Sequence, residues 1–231
     1  MNRYEVNTGE WETQNIRKAK RIDQMSTAMK LLQSKCGAVA DGHFGRNTAK
    51  AICQHYDLSA KRGAHILGQA SHESGGFKRT KESLYYSTPE RIQAVWPSRF
   101  KTVDDARPYA KNPEALAAKV YVRKSLGNMT EQDAIDFIGR GFIQLTGRTN
   151  YRSFASDMRL PDIMENPSLV ETEYAFESAL WFFRKNNLMA LADQGVDDDT
   201  IKTISRKING GYHGLAHRQE ETKKIYDWLT G

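Results

Sequence analysis

The segment SAKRGAHILGQASHESGGF, residues 59–77, decides how this sequence is read. Ser59 is a good helix N-cap, and Ala60, Ala64, Leu67 and Ala70 fall on one face at helical spacing. The pattern stops at Ser74-Gly75-Gly76, where two glycines permit positive φ and a tight exit. Glu73 is thereby placed in the last turn of a helix whose other side is buried. A carboxyl in such a partly dry setting, followed by glycines that let a substrate approach the backbone, suits a proton donor. His72-Glu73 is not the helical zinc-protease motif, because the position four residues after His72 is Gly76. Taken alone, an ordinary surface glutamate at a helix end explains the same residues.

Nine residues on, Lys81-Glu82-Ser83-Leu84-Tyr85-Tyr86 supplies a second carboxylate among basic and aromatic side chains. Two glutamates on either side of a glycine-hinged turn can face each other across a groove, as glycoside hydrolysis requires: one protonates the leaving oxygen and one activates water. Tyr85, Tyr86 and Trp96 either stack on sugar rings or belong to the core. A third segment, residues 139–151 (GRGFIQLTGRTNY), alternates glycine, polar and apolar positions, which suits an extended strip with one packed and one hydrogen-bonding face. It lacks the lysine and spacing of a phosphate loop.

Outward from these segments the spacing is helical almost throughout. Met25, Ala28, Met29, Leu31 and Leu32 predict a short helix closed at Cys36-Gly37, and Asn47 or Thr48 caps a second through Ala51, Ile52 and Tyr56. Pro89 opens another helix, and Trp96-Pro97 and Arg107-Pro108 mark a surface excursion. Further helices are expected over 170–187, 200–208 and 216–229, with a short hairpin near 84–87 or 142–146. Three divisions follow: a polar arm over 1–23, a small helical segment over 24–58, and a larger helical region over 59–231 that carries both glutamates. The fold class expected is mainly α.

With 39% apolar and 10% aromatic residues, the 231-residue chain can bury a core, which excludes a disordered protein. No apolar run is long enough to span a bilayer, and the charged N-terminus does not read as a secretory signal. Cytoplasmic synthesis is therefore expected, in keeping with two cysteines, Cys36 and Cys53, and no disulfide framework. The net charge of +6 is concentrated over residues 61–101, where eight Lys and Arg face three Glu, so an anionic polymer is a natural partner unless this is only a solvated basic face. His213 and His217 stand four apart, but no third ligand accompanies them; two surface histidines account for them, and no metal or cofactor is assigned.

Taken in order, His72-Glu73-Ser74-Gly75-Gly76-Phe77, then Glu82, then residues 140–147 (RGFIQLTG) with Asn150-Tyr151, then Ile208-Asn209-Gly210-Gly211, resemble the family 19 glycoside hydrolases, the chitinases and related bacteriophage endolysins. The likeness covers about residues 59–231. The short interval from Glu73 to Glu82 is similar to the endolysin branch. The resemblance implies a lysozyme-like helical fold with Glu73 as general acid, Glu82 as general base and Thr146 holding the attacking water. It also implies glycan contacts from Gln144, Asn150 and Asn209, a basic residue of the last helix in Arg218, and a bracing role for Arg140. Inversion of configuration follows from it, with two carboxyls roughly 6.5–9.5 Å apart around one water. Leu32-Gln33 with residues 40–51 (ADGHFGRNTAKA) is similar to a small three-helix peptidoglycan-binding domain, so residues 24–58 either bind the wall or buttress the enzyme.

The function so implied is that of an endolysin. It would hydrolyse β-1,4 bonds of peptidoglycan glycan strands, as a monomer, after release from the host cytoplasm by a separate membrane-permeabilising protein. A chitinase acting on GlcNAc polymer is the alternative within the same chemistry. A non-catalytic wall-binding or nucleic-acid-binding protein is the alternative outside it, and it leaves the paired glutamates unexplained.

Overall fold

The computed structural model describes residues 27–231; the arm expected over 1–23 lies outside them. The described part of the first helix, α1, covers 27–35. There follow α2 (Arg46–His55), α3 (Ala60–Ser74), α4 (Pro89–Val95), α5 (Val103–Ala106), α6 (Pro113–Tyr121), α7 (Glu131–Asp136), α8 (Arg148–Met158), α9 (Asp162–Glu165), α10 (Ala175–Lys185), α11 (Leu188–Ala192), α12 (Asp198–Asn209) and α13 (Leu215–Thr230). Pairing of β type among the described residues is confined to isolated bridges, Lys81 with Arg140, Arg140 with Leu145 and Arg123 with Asn128. The protein is mainly α.

Three hydrophobic clusters hold these helices. The first joins α1, α2, α3, α10, α12 and α13 through residues such as Met29, Ile52, Leu67, Phe176, Phe183 and Ile225, all nearly or fully buried. Residues 27–58 thus share one core with residues 59–231. Lys35 and the Tyr56 hydroxyl both donate to Glu177 Oε1 on α10, each at 2.5 Å, and tie that segment down. The second cluster gathers α4, α5 and α6 around Leu84, Ile92, Phe100 and Leu116. The third packs α8, α9 and α10 around Phe154, Ile163 and Trp181.

At its centre α3 lies against α13, and the contact is close: a Cβ on Gly68 would stand 2.8 Å from the Thr222 Cα, so no side chain fits there. Ser59 caps α3, accepting from the Arg62 N–H, and Gly75 closes it in the left-handed region at φ 64°. Both ends match the reading of the sequence.

Several expectations are corrected. Neither Asn47 nor Thr48 caps α2, which begins at Arg46 after Gly45; the Thr48 hydroxyl is engaged with Gln33 Nε2 and the His43 carbonyl instead. No hairpin forms over 84–87. The strand-like pairing joins 80–82 to 139–141, where Glu82 N–H donates to the Gly139 carbonyl and Gly141 N–H to the Thr80 carbonyl. Residues 139–151 are not an extended strip: a tight turn closes between Arg140 and Leu145, and α8 starts at Arg148. The single helix expected over 170–187 is a 3-10 turn at Pro167–Glu171 and then α10, because Glu171 is drawn inward to the Arg140 guanidinium. The excursion after Trp96 contains α5, α6 and α7, two of them started by capping boxes, Thr102 with Asp105 and Thr130 with Asp133.

Candidate active site

Glu73 emerges in the last turn of α3 with its side chain 23% exposed. What stands beside it is a guanidinium rather than an apolar wall. Arg218 of α13, 2% exposed, donates through Nη2 to Glu73 Oε1 at 2.5 Å and through Nη1 to the buried Gln69 Oε1 at 2.6 Å. Its Nε donates to the His213 carbonyl at 3.1 Å. The α3–α13 packing delivers this guanidinium, one helix supplying Gln69 and Glu73 four residues apart and the other the cation. His72 and His217 flank the pair and meet Nδ1 to Nδ1 at 3.0 Å. Partial burial, then the Arg218 charge, hold the His72 ring below the usual imidazole range.

Glu82 is fixed from the other side. Gly139 N–H donates to its Oε1 at 2.6 Å and the Tyr121 hydroxyl, at the end of α6, to its Oε2 at 2.7 Å. Burial, then the Glu82 charge, push the Tyr121 hydroxyl far above the ordinary phenol range, so it stays a donor. A methyl on Gly139 would lie 3.1 Å from Gln144 Oε1 and 3.2 Å from both Glu82 Oε1 and Thr146 Oγ1. The three oxygens therefore converge beside Gly139, and any side chain at that position would crowd them.

The turn behind that point is stiff. Arg140, 6% exposed, donates to Glu171 Oε1 at 2.5 Å, to the Asp136 carbonyl, and to the Tyr151 hydroxyl at 3.3 Å; Lys81 reaches the same Glu171 oxygen at 3.1 Å. Gln144 sits at φ 57°, its amide donating to the Gly141 carbonyl; Thr146 Oγ1 donates to the Gln144 carbonyl, and Asn150 Nδ2 to the Thr146 carbonyl. Gln144, Thr146 and Asn150 line a groove of about 320 Å³ between α8 and α10.

The remaining sequence-derived residues fall at other places. Asn209 is exposed and shapes the loop to α13, accepting from Gly211 N–H at 2.7 Å and donating to the His213 carbonyl at 3.4 Å. Tyr86 and Trp96 are half-buried and meet edge to face on the second cluster, while Tyr85 is 45% exposed. His213 is exposed and apart from the His72–His217 contact. Among the described residues no group of three or more His, Cys, Asp or Glu is placed to hold a metal ion, and no helix is long and apolar enough to cross a membrane. Sequence reasoning missed Tyr121, Gly139 and Gln69. Gln69 had a signal, its spacing of four from Glu73 on one helix face, whereas Tyr121 had none, its helix lying far along the chain.

A mainly helical chain with two hydrogen-bonded carboxylates, Glu73 held by Arg218 of α13 and Glu82 by Tyr121 and the Gly139 N–H, has the pair of acids that glycosidase chemistry needs. No protein-family model matches the chain. It is 33% identical over 161 residues to a glycosyl hydrolase family 19 domain-containing protein of Haemophilus influenzae, covering 67% of this chain and 74% of that one. It is 28% identical over 184 residues to an endochitinase of Arabidopsis thaliana, of which it spans 50%, and 31% identical over 136 residues to an acidic endochitinase of Populus trichocarpa, of which it spans 32%. The chain belongs to glycosyl hydrolase family 19.

Proposed function

We propose that the protein hydrolyses β-1,4 glycosidic bonds of peptidoglycan glycan strands, with Glu73 as general acid and Glu82 as general base. The observation that carries this reading is the convergence of Glu82 Oε1, Gln144 Oε1 and Thr146 Oγ1 beside Gly139, which groups a carboxylate with two polar side chains able to orient one water. Glu82 would take a proton from that water as it attacks the anomeric carbon, and Thr146 and Gln144 would orient it. Glu73 would give its proton to the leaving oxygen from the other face, and Arg218 fixes that carboxyl's direction. The products leave with inverted configuration, because water rather than a carboxylate makes the new bond.

The excess of basic residues over 61–101 favours an anionic wall polymer, an attraction that salt weakens. In this reading the protein is an endolysin, reaching the wall with the help of a membrane-permeabilising partner. A second reading, hydrolysis of chitin, is favoured by the plant relatives, which are named endochitinases. Purified murein and chitin oligomers separate the two: the enzyme should release reducing ends from murein faster at equal sugar concentration, and Glu73→Gln should lower that rate about 10²–10⁴-fold while the protein stays folded. Turnover of chitin oligomers without any from murein leaves the chitinase reading.

A further inference from the structure

The groove that carries Gln144, Thr146 and Asn150 has a charged end. Ser153 of α8 and Lys185 and Asn186 at the end of α10 line it as well, and Lys185 is the one charged side chain among the described residues that line it. The Lys185 side chain is 51% exposed and its ammonium lies 3.0 Å from Asp157 Oδ2. Asp157 does not depend on it, since Trp181 Nε1 donates to the same oxygen at 2.9 Å. A pair as exposed as this one is held weakly against water, so Lys185 can turn to a ligand's carboxylate while Asp157 keeps its indole partner.

We propose that Lys185 is a specificity residue that reads a carboxylate carried on the glycan lying in this groove. The inference rests on the hydrolase reading above and sharpens it. A chitin strand is neutral along its length, so a lone ammonium at the end of an otherwise uncharged groove gains nothing from it. A peptidoglycan strand bears acidic substituents on alternate sugars, either the free lactyl carboxylate where the peptide has been removed or a carboxylate of the peptide stem. Either one places an anion beside the strand at the level of the ring, where Lys185 ends the groove. The cation would therefore contribute to binding of an acidic strand and be silent toward a neutral one. It takes no part in bond cleavage.

The test is steady-state hydrolysis by the full chain of three substrates: denuded glycan strands, intact murein and chitin oligomers. Lys185→Gln should raise KM about three- to tenfold for the acidic substrates with kcat unchanged, leave the chitin oligomer untouched, and flatten the salt dependence of KM. Lys185→Arg should retain wild-type KM values. If only denuded strands respond, the carboxylate read is the lactyl group; if only murein responds, it is a stem carboxylate. Asp157→Asn guards against a purely structural effect: it should leave or lower KM for the acidic substrates, and a rise matching that of Lys185→Gln for all three substrates overturns the inference. Equal changes for acidic and neutral substrates in Lys185→Gln overturn it as well. An enzyme that turns over the chitin oligomer and neither acidic substrate refutes the peptidoglycan reading itself.

Discussion

Replacing Arg218 by Met removes the guanidinium that holds Glu73 and leaves its apolar stem in place. The side chain is 2% exposed and makes three hydrogen bonds, to Glu73, to Gln69 and to the His213 carbonyl. Taking a buried guanidinium from its acceptors costs about 3–5 kcal/mol, because they are left without their hydrogen-bond partner. Glu73 is 23% exposed, so water relieves part of that cost, whereas Gln69 is fully buried and has no such relief. The loss should therefore be about 3 kcal/mol, equivalent to roughly 6–12 °C in Tm for a chain of this length. Urea denaturation measures it, with the slope unchanged if the variant still folds to the same surface. The double variant Glu73→Gln with Arg218→Met should lose at least about 1 kcal/mol less than the sum of the two single changes, because the two side chains share one hydrogen-bonded contact. A single-variant loss under about 1 kcal/mol, or strict additivity, would refute the account of Arg218 as the anchor of Glu73.

Three other outcomes are expected. Gly68→Ala should destabilise by about 2–3 kcal/mol in the same urea assay, since its Cβ would stand 2.8 Å from the Thr222 backbone and α13 must move to admit it. Gly139→Ala puts a methyl group against Glu82, Gln144 and Thr146, and should cut kcat about 10- to 100-fold with little change in Tm; unchanged kcat would show that the alignment of these three groups does not place the reacting water. His65 is fully buried, and burial holds its ring below the usual imidazole range while its Nε2 donates to the Gly195 carbonyl. The unfolded chain therefore takes up the proton first as pH falls through about 6.5, so stability is lost from there downward and not above it. His65→Gln should lose less stability than the wild type between pH 7.5 and 5.5.

The helical plan was legible because its signals are local. Ser59, the spacing of Ala64, Leu67 and Ala70, and Gly75 state where α3 begins, faces and ends, and the structure keeps all three. Asn209-Gly210 ends α12 in the same way, with Gly210 at φ 75°. What escaped was set by partners distant in sequence. Thr48 reads as a cap until Gln33 claims its hydroxyl, and residues 170–187 read as one helix until Arg140 draws Glu171 into the turn. The candidate site divides along the same line. Glu73, Glu82, Gln144 and Thr146 sit in short motifs and could be picked out. The groups that orient them, Arg218 at 145 positions from Glu73 and Tyr121 at 39 from Glu82, are brought in by packing. The roles of Gln144, Thr146 and Arg218 were drawn only from the family resemblance, and Tyr121 was not singled out at all.

The central claim is that one water, placed by Glu82 and Thr146 opposite Glu73, attacks the anomeric carbon directly. Proton NMR of the products in the first moments of hydrolysis, before mutarotation, tests it. The account predicts that a β-linked oligomer yields the α anomer first. Initial release of the β anomer would mean that a covalent glycosyl intermediate forms, and would contradict it.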